Sequence, residues 1–402
     1  MSKESFVVGL DIGTSKIKAL ILKKDSKDEL ELVKTFEENS LGVRKGTVEE
    51  PEKTSNIIKN LFLKITQELD EEFDSVFVNL SGSHLFAKSS HGLVSVSRAD
   101  HKISKEDIER VLDAAQIINL PSNNQIFDVR PKSFSVDERK DIKDPYGLDG
   151  VRLEVDVLAL GGFSLYILNT EKAVESAGLE VIESVPSPIA AARAVLTEEQ
   201  KQLGCAVLDV GAGISTMAVF KNSHLIYFSV LPIGSDDITS DIAVGLKISP
   251  EMAERIKLEY GACYLRGKDV KRKINIGEDE PLEFPQKLLV KIISSRVSEI
   301  FEETNKEMKK VVPCKSLPSG IVLTGGGAKL NGILKLAKKD FSLYSSLGSF
   351  QGPLKAEGNL SLATVYGLAL LGIDRLEKQD RSSNFLGEIG GKIKNFLKLF
   401  NP

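Results

Sequence analysis

Two short turns that contain aspartate and glycine lie far apart in the sequence and share one pattern. Residues 7–22 read VVGLDIGTSKIKALIL and residues 205–220 read CAVLDVGAGISTMAVF, so an apolar run precedes and follows each turn. A carboxylate at a strand end, such as Asp11 or Asp209, can hold Mg²⁺ directly or through waters. Glycine lacks a Cβ and lets backbone N–H groups approach a phosphate closely. One such turn usually serves geometry alone, but two matched copies favour a phosphate site.

Polar residues around both turns supply further groups that suit a phosphate. The candidate phosphate-binding residues are Gly13, Thr14, Ser15, Lys16, Gly211, Gly213, Ser215 and Thr216. Lys18 is an alternative to Lys16 as the positive charge near a β-phosphate. The two copies predict two similar α/β lobes that face each other across a cleft.

A third motif follows the apolar run IVL in the last quarter of the chain. Residues 324–328 read TGGGA and lead into a predicted helix. Consecutive glycines leave bare backbone against which a planar base or a ribose can lie. A merely flexible loop is a poorer interpretation, because the run is short and lies at a strand–helix junction. We therefore predict nucleoside contacts from Gly325, Gly326, Gly327 and Ala328.

Length and composition set limits on the class of protein. The chain has 402 residues, enough for two to four domains. A formal net charge of −4 gives no global basic field, so we expect no nucleic-acid partner. The three cysteines have no zinc or disulfide spacing and favour a reducing cytosol. We expect neither a signal peptide nor a transmembrane helix.

Apolar periodicity predicts alternating strands and helices along most of the chain. Helices are predicted at about 51–72, 104–118, 171–177, 235–246, 250–260 and 285–309, and another begins near Ser187. The second has the capping-box pattern Ser104-x-x-Asp107. Strands are predicted at 6–10, 16–22, 125–136, 151–160, 163–169, 180–185 and 205–211, with three short ones within 76–97. Residues 82–161 thus form a small α+β unit inserted between larger pieces.

The last residues of the chain form an apolar stripe with helical spacing. Its members are Phe385, Ile389, Ile393, Phe396, Leu397 and Phe400. Lys392, Lys394 and Lys398 lie mainly on the flanks and the polar side. A short basic amphipathic helix of this kind is typical of an interfacial membrane helix, and each lysine contributes roughly 1 kcal/mol near an anionic leaflet. The alternative is a terminal helix docked on the protein's own core.

The order of the motifs DIGTS, DVGAGIST and TGGGA resembles the two phosphate motifs and the adenosine motif of the actin, Hsp70 and sugar-kinase superfamily. The resemblance covers nearly all of residues 6–373. It implies an α/β actin-like ATPase fold, ATP and Mg²⁺ as ligands, and Asp11 and Asp209 as the carboxylates associated with Mg²⁺. The stretch AERIKLEYG matches a superfamily pattern in which Glu and Lys contact ribose and adenine. Glu254 and Lys257 hold that spacing, and a solvated ion pair is the alternative.

Within the superfamily the chain resembles FtsA, the bacterial cell-division actin homologue. The match extends to VVGLDIGTSKIKALI, to SGSHLFAKSSHGLVSVSRADHKIS, and to TSDIAVGLKIS followed by AERIKLEYG. Only about 30 residues follow ATVYGLALLGI, too few for the peptide-binding domain of Hsp70. A small-molecule kinase of the sugar type stays an alternative, although no sugar pocket with a general base is evident. The actin-like ATPase of type IV pilus assembly is another, which the basic tail disfavours.

The resemblance implies two duplicated lobes with an inserted α+β 1C subdomain and no 1B subdomain. The implied parts are 1–82 with 163–190 as subdomain 1A, 83–162 as 1C, 191–224 with 301–373 as 2A, 225–300 as 2B, 374–384 as a linker, and 385–400 as a membrane-targeting amphipathic helix.

Partners and location are also implied by the resemblance. FtsA proteins form actin-like protofilaments at the inner face of the cytoplasmic membrane, tether FtsZ through its C-terminal peptide at 2B, and recruit later division proteins through 1C. Lys291 and Arg296 are candidate contacts for an acidic peptide, with solvation as the simpler role. Actin and Hsp70 position the attacking water with Gln or Glu, where this chain has Ser187, with Glu183 several residues earlier. We therefore expect weak or no ATP hydrolysis.

Overall fold

The computed structural model describes residues 5–25, 28–97, 99–265, 271–274, 282–313, 316–355 and 358–385. The strands are β1 (Ser5–Ile12), β2 (Lys16–Lys24), β3 (Leu30–Asn39), β4 (Val43–Arg44), β5 (Thr47–Val48), β6 (Ser75–Leu80), β7 (Phe86–Ser95), β8 (Asn124–Val136), β9 (Arg139–Ile142), β10 (Arg152–Phe163), β11 (Glu180–Pro186), β12 (Cys205–Val210), β13 (Ser215–Lys221), β14 (His224–Leu231), β15 (Lys271–Ile274), β16 (Leu282–Pro285), β17 (Ile321–Thr324) and β18 (Ser345–Leu347). The helices are α1 (Pro51–Leu69), α2 (Lys105–Gln116), α3 (Ser164–Glu175), α4 (Ser187–Val195), α5 (Glu198–Leu203), α6 (Ser235–Leu246), α7 (Pro250–Tyr260), α8 (Gln286–Lys309), α9 (Ile333–Phe341) and α10 (Ala363–Phe385).

Two five-stranded sheets follow the same plan. The first has the order β11-β6-β1-β2-β3, and the second has the order β18-β17-β12-β13-β14. In each sheet three consecutive strands form an antiparallel meander, and two later strands add in parallel beside its first strand. The predicted duplication of two α/β lobes is confirmed. Because the carboxyl ends of parallel strands meet at one edge, each plan brings its aspartate turn to that edge.

Helices α4 and α10 join the two lobes. Helix α10 packs on the first-lobe strands β1, β2 and β6, while α4 packs on the second-lobe strands β12 and β13. The two helices cross at Gly367, where an added Cβ would lie 1.7 Å from the carbonyl oxygen of Ala190. Only glycine permits backbone contact this close. The crossing therefore brings the helices that pack on the two lobes into backbone contact.

The segment between β6 and α3 folds as a separate layer. Its sheet has the order β7-β10-β8-β9, and α2 covers one face above its own apolar cluster. The capping box at the start of α2 forms as predicted: Asp107 accepts hydrogen bonds from the backbone and hydroxyl of Ser104. Burial opposes ionisation of Asp107, but hydrogen bonds from Ser104, Arg110 and Ser97 hold its pKa well below its usual range.

Two local predictions are wrong. The segment 163–169 was expected to form a strand, yet Ser164 begins helix α3. Its buried residues recur with helical spacing, at Ile167, Thr170, Ala173 and Val174, and this period overrides the strand propensity of its apolar residues. Within 76–97, the last two of the three expected strands are one continuous strand, β7.

The C-terminal part of the chain is described as far as residue 385. Helix α10 continues through residues 374–384, the predicted linker. The interfacial helix predicted from Phe385 onwards lies outside the described residues, except for Phe385 itself, which ends α10. None of the helices described is both long and apolar enough to cross a membrane.

Candidate functional site

A cavity of about 470 Å³ lies between the two lobes. Strand ends, turns and helix starts from both halves of the chain line it. The predicted site residues that line this cavity are Asp11, Gly13, Thr14, Ser15, Lys16, Asp209, Gly211, Thr216, Glu254, Lys257, Gly325, Gly326 and Gly327. Three separate motifs, predicted independently from the sequence, therefore meet in one place.

Three further predicted residues do not line the cavity. Side chains alternate along β13, so Thr216 faces the cavity and its neighbour Ser215 faces away from it. The Ser215 hydroxyl donates instead to the carbonyl of Ile233 at 2.8 Å. Ala328 is buried in the core. Gly213 contacts the opposite turn instead, since an added Cβ there would lie 2.7 Å from Thr14 Oγ1. The tips of the two aspartate turns thus touch across the cleft.

The carboxylates of Asp11 and Asp209 come from the ends of β1 and β12. Burial raises the pKa of Asp11, and the nearby Lys18 opposes that shift. Burial and the charge of Asp11 raise the pKa of Asp209 to about 6, against the effects of Lys18 and a hydrogen bond from Thr364. Two buried carboxylates, of which one raises the pKa of the other by its charge, form a site that favours a cation.

The Asp209 side chain is held in one place by its neighbours. The Thr364 hydroxyl, at the start of α10, donates to Asp209 Oδ2 at 3.2 Å. Gly325 has φ +88°, and an added Cβ would lie 2.1 Å from Asp209 Oδ1. Across the cleft, Lys18 Nζ donates to the carbonyl oxygen of Ser361 at 2.6 Å. The glycine loop and the aspartate turn are therefore one packed unit.

The pair on helix α7 forms as its spacing predicts. Lys257 Nζ lies 2.7 Å from Glu254 Oε2 and also donates to Thr239 Oγ1 at 2.8 Å and to the carbonyl of Ser235 at 3.1 Å. Lys257 is buried, whereas the carboxylate of Glu254 is exposed. The pair is thus fixed to the start of α6 instead of being a free surface ion pair.

Several cavity residues were missed by the sequence reasoning. They are Asn79, Ser81, Ser235, Asp236, Ser361 and Thr364. Asn79 is buried at the end of β6; its Oδ1 accepts from the Ile12 backbone at 2.7 Å and its amide nitrogen donates to Ser187 Oγ at 3.1 Å. The polar residues that follow the apolar run VFV were the available signal, since β6 runs parallel to β1 and ends at the same edge.

The donor set of the cavity fits a magnesium nucleotide. The Thr216 hydroxyl is buried and has no hydrogen-bond partner among the described residues, so an acceptor or donor from a ligand can satisfy it. No group of three or more His, Cys, Asp or Glu side chains suited to a metal occurs in the described ranges. Mg²⁺ commonly takes only one or two carboxylates beside phosphates and waters, which Asp11 and Asp209 can provide.

The second-lobe basic residues proposed for an acidic peptide differ in their surroundings. The Arg296 guanidinium binds both oxygens of Asp241, at 2.7 and 2.9 Å, and contacts Glu299 at 2.6 Å. Lys291 is exposed on the same helix, α8. Arg296 is therefore already paired, and a peptide carboxylate would have to compete for it.

Known proteins share both the sequence and the fold of this chain. Residues 206–367 match the family "Cell division protein FtsA", and residues 82–160 match "SHS2 domain inserted in FTSA". The cell division protein FtsA of Bacillus subtilis is 35% identical over 84% of this chain and 77% of that protein. FtsA of Pseudomonas aeruginosa is 33% identical over 92% of this chain and 89% of that protein.

Solved structures with low sequence identity show the same architecture. A PilM–PilN type IV pilus biogenesis complex matches with TM-score 0.64 and 19% identity, covering 91% of this chain and 98% of that one. MreB5 of Spiroplasma citri bound to AMPPNP matches with TM-score 0.58 and 11% identity, covering 94% and 98%.

The fold is that of the actin-like ATPases, and it implies nucleotide binding. The predicted fold class is confirmed. The identities of about a third over most of both chains show more than the fold. The chain belongs to the FtsA family of cell-division proteins.

Proposed function

We propose that the cleft binds ATP with Mg²⁺. The observation that carries this proposal is that both aspartate turns and the glycine loop line one cavity. Backbone N–H groups of the turns, with the hydroxyls of Thr14, Ser15 and Thr216, suit the phosphates. The bare backbone of residues 325–327 and the pair on α7 suit the base and the ribose.

The chain's own residues would hold the metal and the phosphates in place. When bound, Mg²⁺ supplies positive charge that offsets the phosphate oxygens. Asp11 and Asp209 would hold it, directly or through waters. Thr364 orients Asp209, and the bond from Lys18 to Ser361 keeps an ammonium group beside both carboxylates.

ATP turnover is proposed to be slow or absent. Ser187 lies at the start of α4 beside the cavity, and its hydroxyl donates to the carbonyl of Leu80 at 3.2 Å while it accepts from Asn79. Glu183 pairs with Arg375 at 2.9 Å. Both candidate water-positioning groups are therefore engaged elsewhere. A single-turnover assay with Mg-ATP should show no fast burst, and a fast burst would contradict this assignment.

As a member of the FtsA family, the chain is proposed to act as a membrane-bound scaffold of cell division. The proposed parts are 1A, 1C, 2A and 2B with the boundaries given above, with 1C for later division proteins and 2B for the FtsZ C-terminal peptide. Self-assembly of the chain is proposed because one of the structures with a similar fold is the MamK double helical filament. Family membership favours this role over the pilus and sugar-kinase alternatives.

Membrane attachment is proposed to depend on the C-terminal stripe and on assembly. One short amphipathic helix binds weakly, whereas several on one filament gain about 10²–10⁴ through avidity. The experiment is co-sedimentation with vesicles that contain anionic lipid, with and without ATP. Full-length protein should pellet, and a chain that lacks residues 384–402 should bind ATP normally but stay in the supernatant. Equal pelleting of both chains would refute the proposed anchor.

A further inference from the structure

The hairpin formed by β4 and β5 lies beside the nucleotide cavity where the two lobes meet, and we call this place the mouth of the cleft. Its tip consists of Lys45, with φ +45°, and Gly46, with φ +74°. Gly46 lines the cavity, and an added Cβ there would lie 2.6 Å from Ile214 Cδ1, in the second lobe. The tip therefore reaches across the cleft from the first lobe to the second.

The tip is bonded to the phosphate turn of its own lobe. The Gly46 backbone N–H donates to Thr14 Oγ1 at 2.9 Å. Because the Thr14 oxygen accepts this bond, its own proton is left to donate elsewhere, and the residue lines the cavity. The hairpin thus orients one of the proposed phosphate donors.

The tip is also bonded to the opposite lobe. Lys45 Nζ contacts both oxygens of Asp237, at 3.1 and 2.9 Å. Asp237 accepts from the Gly234 backbone at 2.8 Å at the start of α6. The backbone N–H groups of Ser235 and Asp236, the first residues of α6, each donate to a carbonyl oxygen of the second phosphate turn at 2.9 Å. Lys45 is therefore linked through the start of α6 to that turn.

The position of the Lys45–Asp237 pair determines which movement of the lobes would break it. The pairs Arg193–Asp374 and Arg375–Glu183 hold α10 near the opposite end of the first sheet, beyond the crossing of α4 and α10. Arg375 and Glu183 both belong to the first lobe, so separation of the lobes leaves that pair intact. Opening of the cleft at its mouth would instead separate Lys45 from Asp237.

We propose that the hairpin of residues 43–48 is a latch that sets the rate at which nucleotide leaves the cleft: it is bonded to the first phosphate turn and is linked to the second through Asp237 at the start of α6. The proposal rests on nucleotide binding in this cavity. A bound nucleotide leaves only when the mouth opens, and opening requires the Lys45–Asp237 pair to break. Since both side chains are partly exposed, at 40% and 30%, the expected effect is modest, about two- to fivefold in rate.

The test compares three substitutions in the full-length chain. Lys45→Met removes the charge, and Lys45→Arg keeps it; both pay the same backbone strain at φ +45°. Lys53→Met is the matched control, because Lys53 pairs with Glu50 on the same lobe at 2.6 Å without a contact across the cleft. The measurement is the dissociation rate of fluorescently labelled ADP with Mg²⁺, in a stopped-flow chase with unlabelled ATP.

The latch predicts that Lys45→Met releases labelled ADP about two- to fivefold faster, while Lys45→Arg and Lys53→Met release it at the rate of the unsubstituted chain. The difference should shrink in high salt, which screens the pair. Equal rates for all four chains overturn the latch while leaving nucleotide binding in place. Equal acceleration by Lys53→Met overturns it as well. If the unsubstituted chain binds no labelled ADP, the nucleotide site itself is wrong and the latch falls with it.

Discussion

Replacement of Gly325 by alanine should destabilise the fold and distort the nucleotide site at the glycine loop. The residue has φ +88°, where an L-residue costs about 1–2 kcal/mol. Its new Cβ would lie 2.1 Å from Asp209 Oδ1 and 2.6 Å from the carbonyl oxygen of Val210. Overpacking of this kind costs about 1–3 kcal/mol. The free energy of unfolding should therefore fall by about 2–5 kcal/mol.

The same substitution should also remove Mg²⁺-dependent binding, because the added methyl group forces Asp209 out of its position. Gly326→Ala is the control for stability alone, because Gly326 itself lines the proposed base site. Its φ is −63°, and its new Cβ would meet only Ser361 Cβ, at 3.8 Å. This control should change the free energy of unfolding by no more than about 1 kcal/mol, as expected for a methyl group in open space.

Two measurements separate the outcomes. Denaturant unfolding gives the stability of each chain, and titration with fluorescent ATP, with Mg²⁺ or with EDTA, gives its affinity. We expect Gly325→Ala to lose at least about tenfold in affinity with Mg²⁺, which corresponds to 1.4 kcal/mol, and to lose most of the effect of Mg²⁺. If Gly325→Ala binds as tightly as the unsubstituted chain and responds equally to Mg²⁺, then Asp209 does not hold the metal, and the reasoning is refuted.

Other substitutions test the charges and the packing. Folding raises the pKa of Asp209 to about 6, so the free energy of unfolding falls as pH rises from about 4 to 6. Asp209→Asn should therefore make the nucleotide-free chain more stable at pH 8, by up to about 3 kcal/mol in thermal unfolding. The effect of Asp107 on stability depends on pH in the opposite direction, because its lowered pKa gives stability that is present above about pH 4 and is lost at lower pH. Asp107→Asn should therefore destabilise the chain at pH 7 and flatten its acid unfolding curve. Gly367→Ala should force α10 away from Ala190 and lower the melting temperature with a cost of about 3 kcal/mol or more, and unchanged melting would contradict the crossing.

Local signals were sufficient to predict most of the fold. The apolar runs on either side of Asp11 and Asp209 are the paired strands of two equivalent sheets. The capping box at Ser104 was predictable because both of its partners lie within four residues. The segment after Phe163 was not predictable by propensity, since its apolar residues suit a strand and only the burial of every third or fourth side chain makes it a helix.

The site was predictable only where its residues lie in local motifs. The aspartate turns and the glycine loop carry recognisable spacing, and they line the cavity. Asn79 and Thr364 lie in no such motif: Asn79 is marked only by the apolar run VFV before it, and sheet register and the placement of α10 bring both residues there from distant parts of the chain. The alternation along β13 could have distinguished Ser215 from Thr216, since Asp209 pairs with Thr216 in the sheet.

The most direct test of the account is a crystal structure of the full-length chain with Mg²⁺ and a non-hydrolysable ATP analogue. We predict that it will show the triphosphate between the two aspartate turns, Mg²⁺ held by Asp11 and Asp209 directly or through waters, and the base against residues 325–327. A nucleotide bound elsewhere, or one in this cavity with its metal in contact with neither carboxylate nor their waters, would contradict it.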